Sequence, residues 1–290
     1  MLLQAITSGL SVGCLLALIA VGYNLTYAAN RTVNFGHGQW VAVGSLLTFT
    51  LFVQWRVPLL VTFIGTAVGM GVLGVALERV GIRPMLRHSM SLGFIMSTLA
   101  VGIILENVAL LVWGSNALAV PSPFGERRVD FLGVGIYPQE LLVPVVTALM
   151  IGGLALLYRA TKVGRALRAT AENPEAARLM GIDTRVMVAL AYGLGGVMAG
   201  AAGVLVAPLT GALATAGGHL GLKAFAVAIV GGLDSVAGTL LAGMLIGVAE
   251  QLGALYISTG LRDVVVFGIV IVMLLLRPWG LLGTREDEKI

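Results

Sequence analysis

Charge is what this sequence has least of. Only 11% of its 290 residues are Asp, Glu, Lys or Arg, and 58% are hydrophobic, whereas globular domains carry about 25% charged and roughly 45–50% apolar residues. That balance excludes an ordinary water-soluble domain. Cysteine is scarcer still: the lone Cys14 lies inside the first apolar stretch, so there is no disulfide framework, and the residue reads as a small packing group. Three histidines, His37, His88 and His219, sit in separate segments without carboxylate or thiolate neighbours at ligand spacing, which argues against a metal site. Walker A is missing, because Lys162, Lys223 and Lys289 each lack the preceding glycine at the required distance. No nucleophile elbow or Cys and His pairing is present either. The chain is therefore expected to be neither an ATPase nor an enzyme of another kind, and to bind no cofactor of its own.

What is abundant is long apolar sequence. Spans run approximately from Ala5 to Ala28, Phe35 to Trp55, Val57 to Leu77, Leu92 to Trp113, Leu141 to Tyr158, Val186 to Pro208, Leu222 to Leu233, Val236 to Leu255 and Val264 to Leu276. Crossing a hydrocarbon core takes roughly 20 apolar residues as a helix, and the alternation of barrel strands is absent. The expected fold is all-α: a polytopic transmembrane bundle of about eight or nine segments in one domain, residues 1–290. Met1 to Gln4 carries no basic n-region, and the run after it is long enough to span, so the first segment is expected to remain as a membrane helix. Glycine is frequent, with 40 in the chain. The pairs Gly65 and Gly69, Gly196 and Gly200, and Gly243 and Gly247 each have the small-xxx-small spacing that lets helix backbones approach closely.

Basic residues cluster between spans: Arg79, Arg83 and Arg87; Arg159, Lys162, Arg165, Arg168, Arg178 and Arg185; Arg277, Arg285 and Lys289. By the positive-inside rule these mark the cytoplasmic face. The segment Gly114 to Glu140, with Pro121, Pro123, Gly133, Gly135 and Pro138, then becomes an external loop. The amino terminus is expected outside and the carboxyl terminus inside. Two interruptions break the pattern. One is Asn34 to Gly38, NFGHG; the other is the twelve-residue span Leu222 to Leu233 with Gly231, Gly232 and Asp234 beside it. One or two broken or re-entrant helices are expected there, as in transporters built from inverted repeats, although no internal sequence identity supports a repeat.

Polar residues within spans are Asn24, Glu106, Asn107, Glu250 and Gln251. Buried carboxylates in membranes face a bundle interior or a cavity. Glu106 divides between a substrate path and a structural place, a helix-helix hydrogen bond or an interfacial position, and Glu250 reads better as structural.

Between spans lies a polar island, Thr161 to Arg185, TKVGRALRATAENPEAARLMGIDTR. Asn173 is an N-cap, Pro174 fits the first helical position, and Glu175 and Arg178 suit the two ends of the dipole. Gly181 can turn left-handed after Met180. So short a helix is unstable alone. Its apolar residues, Ala176, Ala177 and Met180 with Leu179 and Ile182 beside them, need a partner surface or the chain's own membrane face.

Four stretches resemble one family. They are GRALRATAENPEAARLMGID (164–183), VNFGHGQW (33–40), GLKAFAVAIVGGLDSVAGTLLAGMLIGVAEQL (221–252) and RPWGLLG (277–283). In this order they look like the LivH-type permease subunits of binding-protein-dependent branched-chain amino acid ABC importers. The resemblance implies that Glu172, Asn173, Pro174, Glu175, Ala176, Ala177, Arg178 and Gly181 contact a groove of a cytoplasmic ATPase subunit as a coupling helix. It also implies a second, related permease subunit, paired ATPases that use the ATP, an external solute-binding protein, and leucine, isoleucine and valine as cargo. Similar relatives handle urea, short amides or other amino acids. Candidate path residues are Asn24, Asn34, His37, Glu106 and Asn107, with backbone bonding at the broken helix start as the alternative for His37. The rival from another class is a self-sufficient secondary transporter or channel.

Overall fold

The computed structural model describes residues 2–84, 91–125, 129–131 and 134–283; Arg87, His88, Gly133, Arg285 and Lys289 lie outside that range. Helix α1 (Leu2–Asn30) is the axis of the bundle, and every residue from Gly13 to Thr26 is buried. After a non-helical stretch the chain re-enters as α2 (His37–Thr48), which continues into a π-turn over Phe49–Gln54. Next come α3 (Leu59–Leu77), ending in a π-turn over Glu78–Ile82, and α4 (Ser91–Trp113). Then follow α5 (Pro138–Ala160), α6 (Lys162–Glu172), α7 (Pro174–Leu179) and α8 (Thr184–Thr210). The chain closes with α9 (Ala216–Gly231), α10 (Val236–Tyr256) and α11 (Arg262–Leu276). Among the described residues seven stretches are long and apolar enough to cross a membrane, and α9 is a shorter apolar helix. The chain is a multi-pass, all-α membrane bundle. Helices α4, α5 and α11 carry its outer apolar surface, with Leu111, Leu149 and Leu275 at least 70% exposed, as suits groups that meet lipid.

Glycine sets the close contacts. Helices α1 and α10 cross antiparallel, and a Cβ on Gly13 would lie 2.3 Å from the Gly243 carbonyl oxygen, one on Gly247 2.3 Å from that of Gly9. Helices α3 and α8 do the same, with Gly196 against Met70 and Gly74 against Tyr192. Two of the three expected glycine pairs therefore pack backbone to backbone. Gly65 and Gly69 do not: Gly69 has nothing within 4 Å, and Gly65 meets only the end of Leu51. The packed stripe of α3 is instead Ala67, Met70, Gly71 and Gly74, which follows the 3.6-residue period around the other side of the helix.

These contacts repeat with inverted sense. In the first half α1 packs on α10; in the second half its counterpart α8 packs on α3. Each of these two buried helices is followed by a short non-helical stretch containing a positive φ, at Arg31 (54°) and Gly211 (79°), and then by a short re-entering helix, α2 or α9. The two short helices meet where Gly38 lies against Gly217 and Gly221. Such a repeat needs small residues at matching depths, not identical ones, so sequence identity between the halves is not required.

Helix α9 begins six residues before the expected span, because Gly217, Gly218 and His219 are not apolar enough to mark a start. It stops at Gly232, φ 102°. The last carbonyls, Val230 and Gly231, accept from Leu281 N–H and Leu282 N–H, and Asn24 Nδ2 donates to the Gly232 carbonyl at 3.4 Å. The tail segment 277–283 thus supplies the donors that irregular backbone needs at membrane depth. Its Gly280 (φ 84°) lies directly against Gly232.

At one end of the bundle the described basic segments gather: Arg83 Nη2 donates to the Arg185 carbonyl, and Arg83 grips the buried Glu78 carboxylate with two nitrogens, at 3.0 and 2.9 Å. At the opposite end the segment between α4 and α5 includes a hairpin, β1 (Val129–Phe131) with β2 (Val134–Ile136), paired Val129 to Ile136. An isolated bridge, Leu118 to Ala212, ties that segment to the α8–α9 connection. Alternating Val, Phe and Ile give the hairpin its strand character where only loop was expected.

Candidate functional site

The polar island forms two helices where one was expected. Helix α6 comes first, started by Thr161 Oγ1, which accepts from Gly164 N–H at 2.9 Å, and it buries Gly164, Leu167 and Thr170. Its many charges hide it in a hydropathy reading. Helix α7 has the ends its sequence predicts. Asn173 Oδ1 accepts from Glu175 N–H at 3.1 Å and Ala176 N–H at 3.0 Å, and Gly181 sits at φ 81°. Arg178 Nε donates to Thr184 Oγ1 at 2.9 Å, and Ile182 N–H closes onto the Ala177 carbonyl. The helix is thereby fastened to the start of α8. That fastening changes its expected face: Ala177 is 3% exposed, turned into the chain itself, while Leu179 is 90% and Met180 82% exposed. Glu172, Pro174, Glu175 and Ala176 are also exposed. The apolar surface presented is Leu179 and Met180, and Ala177 and Arg178 serve to hold it.

The second site is a groove of about 230 Å³ between α1, α2, α4 and α9, lined by Tyr23, Phe35, Gln39, Ile103, Glu106, Gly217 and Phe225 among others. Helix α2 starts beside Gly22 of α1, eight residues before α1 ends, which places it roughly 12 Å inside the bundle at 1.5 Å per residue. Gln39 Nε2 donates to Glu106 Oε2 at 2.6 Å. Of the five candidate path residues, only Glu106 lines this groove. Asn24 bonds Thr239 Oγ1 at 2.8 Å and braces the α9 end; Asn34 Oδ1 accepts from Gly36 N–H in a turn. His37 is fully buried, its ring 4.8 Å from that of Tyr23 and 5.4 Å from that of Trp40. Asn107 is exposed on the outer side of α4 and donates to its own helix at the Ile103 carbonyl. Asn24, Asn34 and His37 thus organise the broken helices, and Asn107 faces away.

A third cluster is ionic. Lys223 Nζ lies 2.7 Å from Glu250 Oε1 and 2.8 Å from Asp263 Oδ1, and His219 Nε2 lies 3.0 Å from Asp263 Oδ2. It binds α9 to α10 and α11 at the hairpin end, which gives Glu250 the structural role expected for it. Removing one partner of a buried pair strands the other, at a cost of about 3 kcal/mol or more, whereas removing both is far milder. Lys223→Met is accordingly expected to lower the thermal midpoint in detergent more than the Lys223→Met/Glu250→Leu double variant does.

A model of the family described as branched-chain amino acid transport system / permease component matches residues 5–275. The chain belongs to this permease family. It is 37% identical to the high-affinity branched-chain amino acid transport system permease protein BraD of Pseudomonas aeruginosa, over 99% of this chain and 98% of that one. It is 35% identical to the permease protein LivH of Escherichia coli, over 99% and 97%. The probable LivH of Methanocaldococcus jannaschii is 31% identical over 93% and 89%. No solved structure matches the permease.

Two parts of the permease's candidate sites escape a reading by residue type. Gln39 stands inside the VNFGHGQW stretch, directly after the interruption, and its position as a polar side chain on the first turn of a broken helix was the available signal. Leu179 and Met180 were visible as apolar residues, but which side of α7 they occupy depends on how Arg178 and Ile182 anchor it.

Proposed function

We propose that this permease is the membrane-spanning subunit of an ATP-driven importer of branched-chain amino acids in a bacterial-type inner membrane. ATP is hydrolysed by separate cytoplasmic subunits, and the cargo is delivered by an external solute-binding protein. The observation that carries this reading is the match to BraD and LivH over nearly the whole of both chains. The geometry adds two supports. Segment 161–185 presents a braced two-turn helix with Leu179 and Met180 exposed, which is the form a rigid lever needs if an ATPase groove is to move it. The groove holding Glu106 also opens at the side of the bundle, with Ile103 60% and Leu222 54% exposed. A carboxylate there is expensive to leave against lipid, so a second permease subunit would cover it and share the path.

In this reading the arginine-rich end is cytoplasmic. The amino terminus and the segment 114–140 then face outward, the carboxyl terminus inward. The test is uptake by liposomes holding the complete complex, with labelled leucine competed by valine, urea and acetamide. ATP-dependent uptake suppressed by valine and not by the amides is the expected result. Uptake by this chain alone, without ATPase or binding protein, would instead mark a secondary transporter or channel.

A further inference from the structure

The Glu106 groove is lined by one carboxylate and by the start of a helix, charges of opposite sign that suit the two ends of a zwitterion. Gln39 is 8% exposed; its Nε2 is spent on Glu106 Oε2, and its Oε1, without a hydrogen-bond partner among the described residues, is packed against Gly217 and closed to the groove. Beside it stands the Glu106 carboxylate, bonded among the described residues through Oε2 alone. The remaining Glu106 oxygen, with its negative charge, suits an ammonium group, which offers three N–H donors. Against Gln39 begins α9, a sixteen-residue helix whose N-cap, Thr215, makes no side-chain capping bond among the described residues. Gly217 and Gly218 of its first turn line the same groove. Their N–H groups belong to the positive end of that helix and have no side chain to shield them, which suits a carboxylate. Leu99, Leu222 and Phe225 supply apolar wall.

We propose that Glu106, held in place by Gln39, forms the transit subsite for the α-ammonium group of a zwitterionic aliphatic amino acid, with the first turn of α9 receiving its carboxylate. This rests on the reading of the chain as an amino acid permease, and it names the residues that read the amino acid's charged end. The test uses liposomes with the complete complex, comparing wild type, Glu106→Gln and Glu106→Asp. Glu106→Gln keeps the shape and can still bond Gln39, but it lacks the charge. Loss of a charge-assisted bond is a tenfold effect or more, so the ATP hydrolysed per leucine moved rises at least about tenfold in Glu106→Gln and is partly restored in Glu106→Asp. An unchanged ratio in Glu106→Gln overturns the proposal. Equal loss of hydrolysis and uptake in both variants, which marks a merely structural role, overturns it too. Wild-type complex that moves urea or acetamide and no leucine removes the parent reading, and the subsite with it, since those cargoes carry no ammonium.

Discussion

Gly247→Leu is expected to prevent the bundle from assembling, whereas Gly69→Leu is expected to leave it as stable as wild type. Both glycines lie within apolar helices and both belong to small-xxx-small pairs, so a rule based on spacing treats them alike. Their surroundings differ. A Cβ at Gly247 would sit 2.3 Å from the Gly9 carbonyl oxygen and 2.4 Å from the Gly13 nitrogen, backbone atoms of the central helix that cannot rotate aside. At Gly69 nothing lies within 4 Å. Overpacking against side chains typically costs about 1–3 kcal/mol; here α1 and α10 would have to part along a seam that also sets the depth of Asn24 and the α9 end. A loss above about 3 kcal/mol follows, seen as no monodisperse folded protein in detergent. A leucine at position 69 meets lipid and gains helix propensity. If both variants unfold alike, or neither does, the glycine seam is not what holds the two helices.

What was legible in the sequence is what depends on neighbours in the chain. The spans follow from length and hydropathy. The ends of α7 follow from Asn173, Pro174 and Gly181, which act within one turn. The position of α9's start was misjudged because two glycines and a histidine lower local hydropathy while long-range packing on Gly38 keeps the helix in place. The pairings were illegible: Gln39 meets Glu106 across 67 residues, and Lys223 meets Glu250 across 27. No periodicity links such residues; only the crossing of helices does. The same holds for His37, polar by type yet enclosed by Tyr23, Trp40 and Gly22.

The second large effect belongs to α7. Leu179→Asp with Met180→Asp is expected to reduce ATP-driven uptake to background while the chain still folds and inserts. Both side chains are more than 80% exposed, so charging them disturbs no interior contact of this chain. Pocket-filling apolar anchors at an interface commonly carry about 2 kcal/mol or more each, and charging both replaces attraction with desolvation cost. By contrast, Ala177→Arg would drive a guanidinium into the buried side of α7 and damage the chain itself, so it does not separate contact from folding. Asn173→Ala loosens the cap by about 1 kcal/mol and is expected to impair uptake far less.

The measurement that bears most directly on how energy enters is therefore ATP-dependent leucine uptake by liposomes containing the complete complex, wild type beside the Leu179→Asp/Met180→Asp variant at matched permease content. Uptake in the wild type and none above background in the variant, with the ATPase subunits no longer retained by the purified permease, is the expected result. Full uptake by the variant, with the ATPase still bound, would contradict the proposal that α7 is the contact through which ATP hydrolysis moves this permease.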